Sequence, residues 1–193
     1  MIYLVRHGQT EFNAAGRMQG RRDSALTPLG IDQARRLGRL LGPLIPPGSR
    51  IIASPLGRAL HTAELIREEA RFPGGVIRDE RLAEIGLGEW EGMLKAEVRA
   101  MYPSFDDDQR QWDWFFSAPG GESYDAMVHR LSGWLDEVRA HPGTTIAVSH
   151  GVAGRILRGL FLNLPKDEAL RLEIPQDACF RLSGGSIERM ACF

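Results

Sequence analysis

The chain of 193 residues carries 43% hydrophobic and 25% charged residues and a formal net charge of −1. This length suits one domain with a large core and is short for two, and the composition is average for a soluble globular protein. The near-neutral charge argues against nucleic acid as a partner, because nucleic-acid-binding domains are usually basic, and no apolar run approaches the ~18 residues of a membrane span.

Short apolar runs alternate with amphipathic segments in the first half of the chain, a pattern typical of an α/β fold. Thr27-Pro28 marks a strong helix start, because Thr is a favoured N-cap and Pro suits the first turn. The apolar face of this helix ends before Gly42-Pro43. In chain order, the predicted elements are a strand at Ile2–Val5, the helix from Pro28 to Leu41, a strand at Arg50–Ala53, a helix from about Leu56 to Glu69 and a short edge strand at Gly75–Arg78.

Residues 80–122 form the irregular part of the sequence and are predicted as a cap-like insertion of loops and short helices. This segment contains an aromatic cluster of Trp112, Trp114, Phe115 and Phe116. The cluster either lines the mouth of a pocket, which favours a bulky or apolar substrate, or packs the segment onto the sheet. Packing is the more common role of Trp and Phe side chains.

The second half of the chain predicts a helix–strand–helix unit followed by a terminal hairpin. The run Thr144–Val148 is predicted as a central strand, and Ser183-Gly184-Gly185 is predicted as the hairpin turn. In chain order, the predicted elements are a helix from about Ser123 to Ala140, the strand Thr144–Val148, a helix from about Val152 to Leu162 and hairpin strands at Ala178–Leu182 and Ser186–Ala191.

Basic side chains follow three of the predicted strands. Arg6-His7-Gly8 follows Ile2–Val5, the run Ser54 to Arg58 follows Arg50–Ala53, and Ser149-His150-Gly151 follows Thr144–Val148. In an open α/β sheet, ligands bind outside the carboxyl ends of the strands. If these strands are parallel neighbours, two arginines and two histidines converge on one crevice that suits phosphate.

The chemistry of these residues fits phosphoryl transfer. Arg6 and Arg58 each offer a planar fork of donors to phosphate oxygens, and Gly8 and Gly151 let the backbone approach closely. A neutral imidazole at His7 can attack phosphorus, while the nearby cations oppose its protonation and stabilise the transferring group. One Arg-His-Gly after a strand is weak support, since an ion-paired surface site is more common. Three basic strand ends in one chain are hard to assign to chance.

The remaining histidines and the cysteines show no such pattern. His61, His129 and His141 are predicted as helix-surface, packing or loop residues, and no spacing matches a metal-ligand motif, so we expect no metal. Cys179 and Cys192 are predicted as reduced thiols in or near a strand pair. The apolar start of the chain is too short for a signal peptide, and we expect a cytoplasmic protein.

These motifs, in this order, resemble the histidine phosphatase superfamily, also called the phosphoglycerate mutase-like family, in its phosphatase branch. The resemblance covers nearly the whole chain. It implies a three-layer α/β sandwich with a mostly parallel central sheet flanked by helices, built as a single domain by residues 1–193, and no cofactor. It rests on LVRHGQTEFN (4–13), QG (19–20), LTPLG (26–30), SPLGRALHTA (54–63), LAEIGLGEWEG (82–92), PGGES (119–123) and VSHGV (148–152).

The resemblance also implies roles for individual residues. His7 matches the phosphorylated nucleophile of the family, and Glu84 matches the proton donor to the leaving group. The matched phosphate- or substrate-contacting positions are Arg6, Arg58 and His150 with Gly151 beside it, Asn13 on the first loop, and Gln19 and Gly20 on a second loop, with Thr10 in a supporting role.

A proton donor is also required on chemical grounds. An alkoxide leaving group needs a proton at neutral pH, and a carboxyl group partly shielded from water can deliver it and later accept a proton from the attacking water. The residues alone do not distinguish Glu84 from Glu89 or Glu91, and only the resemblance selects Glu84.

Three functions are open at this level. The first is a phosphatase, which hydrolyses a small phosphorylated metabolite. The second is a cofactor-dependent phosphoglycerate mutase, which returns the phosphoryl group to another hydroxyl of the substrate and must exclude water. The third is a non-catalytic protein that only binds the phospholigand. Mutases of this family carry an ERHYG-like stretch and a later arginine pair. This chain has Ala83-Glu84-Ile85-Gly86-Leu87, and after Tyr102 it offers Arg110 without an adjacent arginine.

These departures favour the phosphatase, as does the expectation that no long tail follows the last predicted strand before Phe193. Every matched catalytic position holds the expected residue type, which opposes the binder. The sequence leaves the substrate and the oligomeric state open.

Overall fold

A computed structural model of the chain describes residues 1–102 and 112–192. These residues form one six-stranded sheet. Numbered in chain order, the strands are β1 (Ile2–Arg6), β2 (Arg50–Ala53), β3 (Val76–Arg78), β4 (Thr145–Ser149), β5 (Ala178–Ser183) and β6 (Ser186–Ala191).

The sheet is parallel on one side and antiparallel on the other. Its strand order is β3-β2-β4-β1-β5-β6. β1, β2, β3 and β4 are mutually parallel, whereas β5 runs antiparallel to β1 and β6 antiparallel to β5. The predicted edge position of β3, the central position of β4 and the terminal hairpin are confirmed. β1, β2 and β4 are neighbours, so their carboxyl ends meet at one edge of the sheet.

Helices connect the strands, and their ends agree with the predicted ends to within one residue wherever a helix was predicted. α1 and α7 have no predicted counterpart, and α4 was predicted only as one of the short helices of the 80–122 insertion, without bounds. Helices of seven residues or fewer show no clear amphipathic period. In chain order, the helices of the described residues are α1 (Glu11–Ala14), α2 (Pro28–Leu41), α3 (Gly57–Glu69), α4 (Lys95–Met101), α5 (Tyr124–Ala140), α6 (Gly151–Leu162) and α7 (Lys166–Arg171).

Two apolar layers cover the sheet, one on each face, which makes the three-layer arrangement. Alternate residues of β1 belong to different layers because successive strand side chains point to opposite faces. Ile2 and Leu4 pack in the layer of α5 and α6, whereas Tyr3 and Val5 pack in the layer of α2 and α3. The predicted insertion at 80–122 joins the first of these layers.

The cysteines and the other histidines have the environments described here. Cys179 and Cys192 are both buried and free, and burial raises the pKa of the Cys179 thiol to about 12. His61 and His129 are exposed on helices, and His141 is half-buried at the end of α5. Across residues 1–102 and 112–192, no helix combines the length and the apolarity needed to cross a membrane.

Candidate active site

The three strand ends named from the sequence lie side by side. Arg6, the last residue of β1, pairs with Ser149, the last residue of β4. His7 donates its backbone N–H to the Ser149 carbonyl at 3.0 Å, and Ser54 donates to the Val148 carbonyl at 2.9 Å. The side chains that follow β1, β2 and β4 therefore share one end of the sheet.

A cavity of about 370 Å³ lies at this end. His150 and Gly151 are not part of its described lining, although Gly151 lies next to it: a Cβ placed there would be 3.7 Å from both Arg6 Nε and Glu84 Oε2. The site residues predicted from the sequence that line the cavity are Arg6, His7, Asn13, Gln19, Gly20, Arg58 and Glu84.

His7 is held as a neutral imidazole with a defined tautomer. Its side chain is 3% exposed, and Nδ1 lies 2.8 Å from the Gly8 carbonyl. A carbonyl only accepts, so Nδ1 carries the proton and Nε2 keeps its lone pair. Burial, followed by the charges of Arg58 and Arg6, holds the pKa of His7 well below its usual value. The sequence argument had named only the cations, but desolvation is the larger cause.

Arg58 lies against the lone-pair nitrogen of His7. Its Nε is 3.3 Å from His7 Nε2, and its other nitrogens donate to the Gly20 carbonyl at 2.7 Å and to the Arg22 carbonyl at 3.0 Å. Asp23 accepts a further bond at 3.2 Å, from a position where its side chain is 40% exposed. These contacts fix the guanidinium beside His7.

Arg6 is fixed from the opposite side by the segment that precedes β5. Nη1 donates to the Ile174 carbonyl at 2.6 Å, while the buried Nε has no hydrogen-bond partner among the described residues. Burial lowers the pKa of Arg6 to about 10, so Arg6 stays charged at neutral pH. A buried, charged donor without a partner marks a place for an anion.

His150 lies beside His7, with ring centroids 5.1 Å apart. Its Nε2 is 2.7 Å from the Ser54 hydroxyl, and Nδ1 is buried without a partner in the described part of the chain. Burial and the charge of Arg58 lower the pKa of His150 well below its usual value. Two neutral imidazoles thus adjoin two charged guanidinium groups.

Glu84 reaches the same cavity from the predicted insertion. Its carboxylate accepts the backbone N–H groups of Val152 at 3.2 Å and Ala153 at 3.0 Å, in the first turn of α6. Glu89 and Glu91 do not line the cavity: Glu89 accepts from the Tyr102 hydroxyl, and Glu91 accepts the Arg21 and Leu87 N–H groups. The geometry therefore separates three glutamates that the sequence left equivalent.

The first loop is bound together by side-chain amides. The Thr10 hydroxyl accepts from Gln19 Nε2 at 2.6 Å and from the Asn13 N–H at 3.1 Å, as the N-cap of α1. Asn13 Oδ1 accepts from Gln176 Nε2 at 3.2 Å, and the same Nε2 lies 3.1 Å from the His7 carbonyl. Gln176 was not found from the sequence, because nothing in its local pattern indicates a contact with residues so far back in the chain.

The aromatic cluster serves both of the roles considered for it. Phe115 is buried in the core, and Trp114 and Phe116 pack against it. Trp112, Trp114 and Phe115 also contribute to the cavity lining, with Trp112 39% exposed. Arg110, whose lack of an adjacent arginine was weighed against mutase chemistry, lies outside the described residues.

Further polar residues in or beside the cavity were also missed by the sequence reasoning. Asp23, which holds Arg58, sits in a loop without any recognisable pattern. Arg155 lines the cavity from α6. It follows Gly151 by four residues, so both residues lie on the same face of the helix. This spacing is the feature of the sequence that could have identified Arg155 as a cavity residue.

Comparisons with known proteins indicate one protein family. The profile of the histidine phosphatase superfamily (branch 1) matches residues 2–185. A probable phosphoglycerate mutase GpmB of Erwinia tasmaniensis is 36% identical over 179 residues, which cover 90% of this chain and 80% of the relative. Phosphoserine phosphatase 1 of Hydrogenobacter thermophilus is 37% identical over 166 residues, covering 81% and 73%. The structure of a mycobacterial glucosyl-3-phosphoglycerate phosphatase in complex with VO3 matches with a TM-score of 0.81 at 32% identity, covering 98% of this chain and 96% of that one.

Proposed function

The chain belongs to branch 1 of the histidine phosphatase superfamily, and we propose that it hydrolyses small phosphate monoesters through a phosphohistidine formed at His7. The observation that carries the proposal is the His7 imidazole, kept neutral with Nε2 unprotonated and 3.3 Å from a buried guanidinium nitrogen of Arg58. An imidazole in this state is the attacking form of the nucleophile.

In the first step, His7 Nε2 attacks phosphorus and the bond from phosphorus to the ester oxygen breaks. Arg6 and Arg58 bind the non-bridging oxygens and stabilise the charge that develops on them. Glu84, as a carboxylic acid, gives its proton to the departing oxygen. His150 completes the phosphate pocket. Asn13 from the first loop and Gln19 and Gly20 from the second line the same cavity.

In the second step, a water molecule attacks the phosphohistidine. The Glu84 carboxylate takes a proton from this water, the N–P bond breaks, and inorganic phosphate leaves with His7 neutral again. The backbone N–H groups of Val152 and Ala153 keep the Glu84 carboxylate at the cavity throughout. The residues supply nucleophile, charge and proton transfer without needing a metal in this scheme.

The direct test is hydrolysis of 4-nitrophenyl phosphate in EDTA by wild type and by His7→Ala. We expect wild-type turnover to survive the chelator and the substitution to lower kcat by at least about 10³-fold, because the nucleophile is lost. His61→Ala is the matched control, since His61 is an exposed histidine on α3 outside the cavity, and it should keep wild-type turnover. Undiminished turnover by His7→Ala contradicts the proposal, and no turnover of any phosphoester by the wild type favours a binder.

Mutase activity is the second candidate, since one relative is named a probable phosphoglycerate mutase. Interconversion of 2- and 3-phosphoglycerate and release of inorganic phosphate, measured on the same sample, separate the two. The sequence departures around Glu84 favour phosphate release. Interconversion faster than release would make the chain a mutase.

A further inference from the structure

The PGGES motif at residues 119–123, to which the proposed mechanism gives no role, is bonded to the segment that carries Glu84. Glu122 of this motif donates its backbone N–H to the Gly86 carbonyl at 2.8 Å. In return, the Glu122 carboxylate accepts the Gly86 N–H at 3.3 Å. The backbone two residues after Glu84 is therefore held in both directions by Glu122.

Arg130, on α5, extends this connection to the other side of Glu84. Its Nε and Nη2 donate to the two carboxylate oxygens of Glu122 at 2.7 and 3.0 Å. Its Nη1 donates to the Arg81 carbonyl at 2.6 Å, and Nη2 also donates to the Glu84 carbonyl at 3.4 Å. One guanidinium thus holds the backbone before Glu84 and at Glu84, while its paired carboxylate holds the backbone after it.

The ion pair between Glu122 and Arg130 is shielded from water. The two side chains are 12% and 14% exposed, and a two-pronged arginine–carboxylate pair in such surroundings fixes geometry more closely than an exposed pair does. Neither side chain belongs to the described lining of the cavity. The pair therefore acts on the site through the backbone around Glu84 and not through contact with a ligand.

We propose that the Glu122–Arg130 pair positions Glu84 for proton transfer to the leaving oxygen. The proposal rests on the proposed phosphatase function, in which Glu84 is the general acid. Proton transfer requires hydrogen-bond reach between donor and acceptor, and a displacement of about 1 Å can cost about 10²-fold in rate. Glu122 and Arg130 are positioning residues in this scheme, because they act through Glu84.

The test compares kcat/KM for propyl phosphate and 4-nitrophenyl phosphate in Arg130→Gln. A propyl alkoxide needs a proton to depart, whereas nitrophenolate departs without one. We expect the loss for propyl phosphate to exceed the loss for 4-nitrophenyl phosphate by about 10- to 100-fold. Arg130→Lys keeps the charge without the planar fork, and Glu122→Gln keeps an acceptor without the charge, so both should show a smaller loss of the same selective kind.

A double-mutant comparison tests whether the pair acts through Glu84. Glu84→Gln by itself should show the same selective loss for propyl phosphate. When Arg130→Gln is added to Glu84→Gln, the ratio of the two kcat/KM values should not change further, because both substitutions remove one proton transfer. A further selective loss in the double variant contradicts the proposal.

Arg81→Gln is the matched control. The Arg81 side chain forms ion pairs with Asp79 and with Glu137 of α5, so the variant also loses ion pairs next to the same segment. Its ratio of kcat/KM values for the two esters should equal the wild-type ratio.

Equal losses for both esters in Arg130→Gln and Arg130→Lys overturn the inference and leave the phosphatase proposal standing. If Arg130→Gln does not fold, the same ratio measured for Arg130→Lys and Glu122→Gln decides the question. If Glu84→Gln shows no selective loss, the general-acid role of Glu84 fails and the inference fails with it. Absence of wild-type turnover with both esters overturns the phosphatase proposal itself.

Discussion

Arg6 and Arg58, which we propose bind the phosphate, are held chiefly by backbone carbonyls. Arg6 donates to Ile174, and Arg58 donates to Gly20 and Arg22. A carbonyl fixes the orientation of a guanidinium without cancelling its charge, whereas a buried carboxylate would compete with the phosphate. The partial exception is Asp23, whose exposed position allows water to screen its charge. Burial thus leaves two oriented cations whose charge is available to a dianionic ester.

The proposed proton transfer from Glu84 can be tested through the leaving group. In Glu84→Gln, kcat/KM for propyl phosphate should fall by about 10²- to 10⁴-fold, the usual size of general acid catalysis. The loss for 4-nitrophenyl phosphate should be much smaller, because nitrophenolate departs without a proton. kcat/KM is the right quantity, since it reports the first chemical step and excludes the later hydrolysis of phosphohistidine.

Glu89→Gln is the matched control for this experiment. Glu89 belongs to the same segment and lies outside the cavity lining, so both esters should react at nearly the wild-type rate. Equal losses for the two esters in Glu84→Gln would show that Glu84 does not protonate the leaving oxygen.

At the level of elements, the loop that carries His7 is pressed against the start of α2. A Cβ on Gly8 would lie 2.3 Å from the Gly30 carbonyl oxygen, and a Cβ on Gly30 would lie 2.1 Å from the Gln9 carbonyl oxygen. Thr27, the N-cap of α2, donates its backbone N–H to the same Gln9 carbonyl at 2.9 Å. The close approach expected at Gly8 therefore exists, but its neighbour is a helix backbone. The start of α2 therefore packs directly against the loop that carries His7.

Gly30→Ala and Gly133→Ala make a matched pair of helix substitutions. Helix propensity alone predicts about 0.5–1 kcal/mol of stabilisation for each. Gly133 has open space where the new Cβ would be, so Gly133→Ala should raise the free energy of unfolding by that amount. Gly30→Ala should instead lower it by about 1–3 kcal/mol, as overpacking does, and should slow turnover by displacing the His7 loop.

Urea unfolding and steady-state assays of both variants give the two readouts. If Gly30→Ala proves as stable and as active as Gly133→Ala, the contact between α2 and the loop of residues 7–9 does not position His7.

For the whole molecule, burial of the site has a consequence for stability. His7 and His150 directly follow β1 and β4 and are nearly inaccessible to water. Their pKa values are lowered in the folded protein, chiefly by desolvation. Below a pH of about 6.5, the unfolded chain binds protons at these histidines that the folded chain does not. Folding is therefore favoured fully above that pH and is progressively weakened as the pH falls below it.

The free energy of unfolding should decline between about pH 6.5 and 5 with a slope approaching ~1.4 kcal/mol per pH unit for each histidine. Asp79 and Glu122 affect the free energy of unfolding only at lower pH, because their carboxyl pKa values in the folded protein are lowered from ordinary values near 4. Urea unfolding at several pH values measures the slope, and His150→Gln should remove about half of it. A slope unchanged by this substitution would mean that His150 is protonated in the folded state.

The sequence by itself determined the local elements and predicted which groups react. Residues that are neighbours in the chain encode the hydrophobic period, the Thr27-Pro28 cap and the Ser183-Gly184-Gly185 turn. The longer helices and all six strands could therefore be predicted to within a residue or so. The position of Arg6, His7, Arg58 and His150 after strands was also readable, because ligand sites form at the carboxyl ends of parallel strands. The bounds of short helices such as α4 and α7 could not be predicted, since so few residues show no clear hydrophobic period.

Only the tertiary structure decided which side chains face the cavity and in what state. Glu84 is distinguished from Glu89 and Glu91 by the first turn of α6, which is about seventy residues away in the chain. The neutral tautomer of His7, the unpartnered Arg6 Nε and the contribution of Arg155 depend on desolvation and on carbonyls from the 172–174 segment. Burial and long-range hydrogen bonds are properties of the packed chain, and no local pattern of residues specifies them.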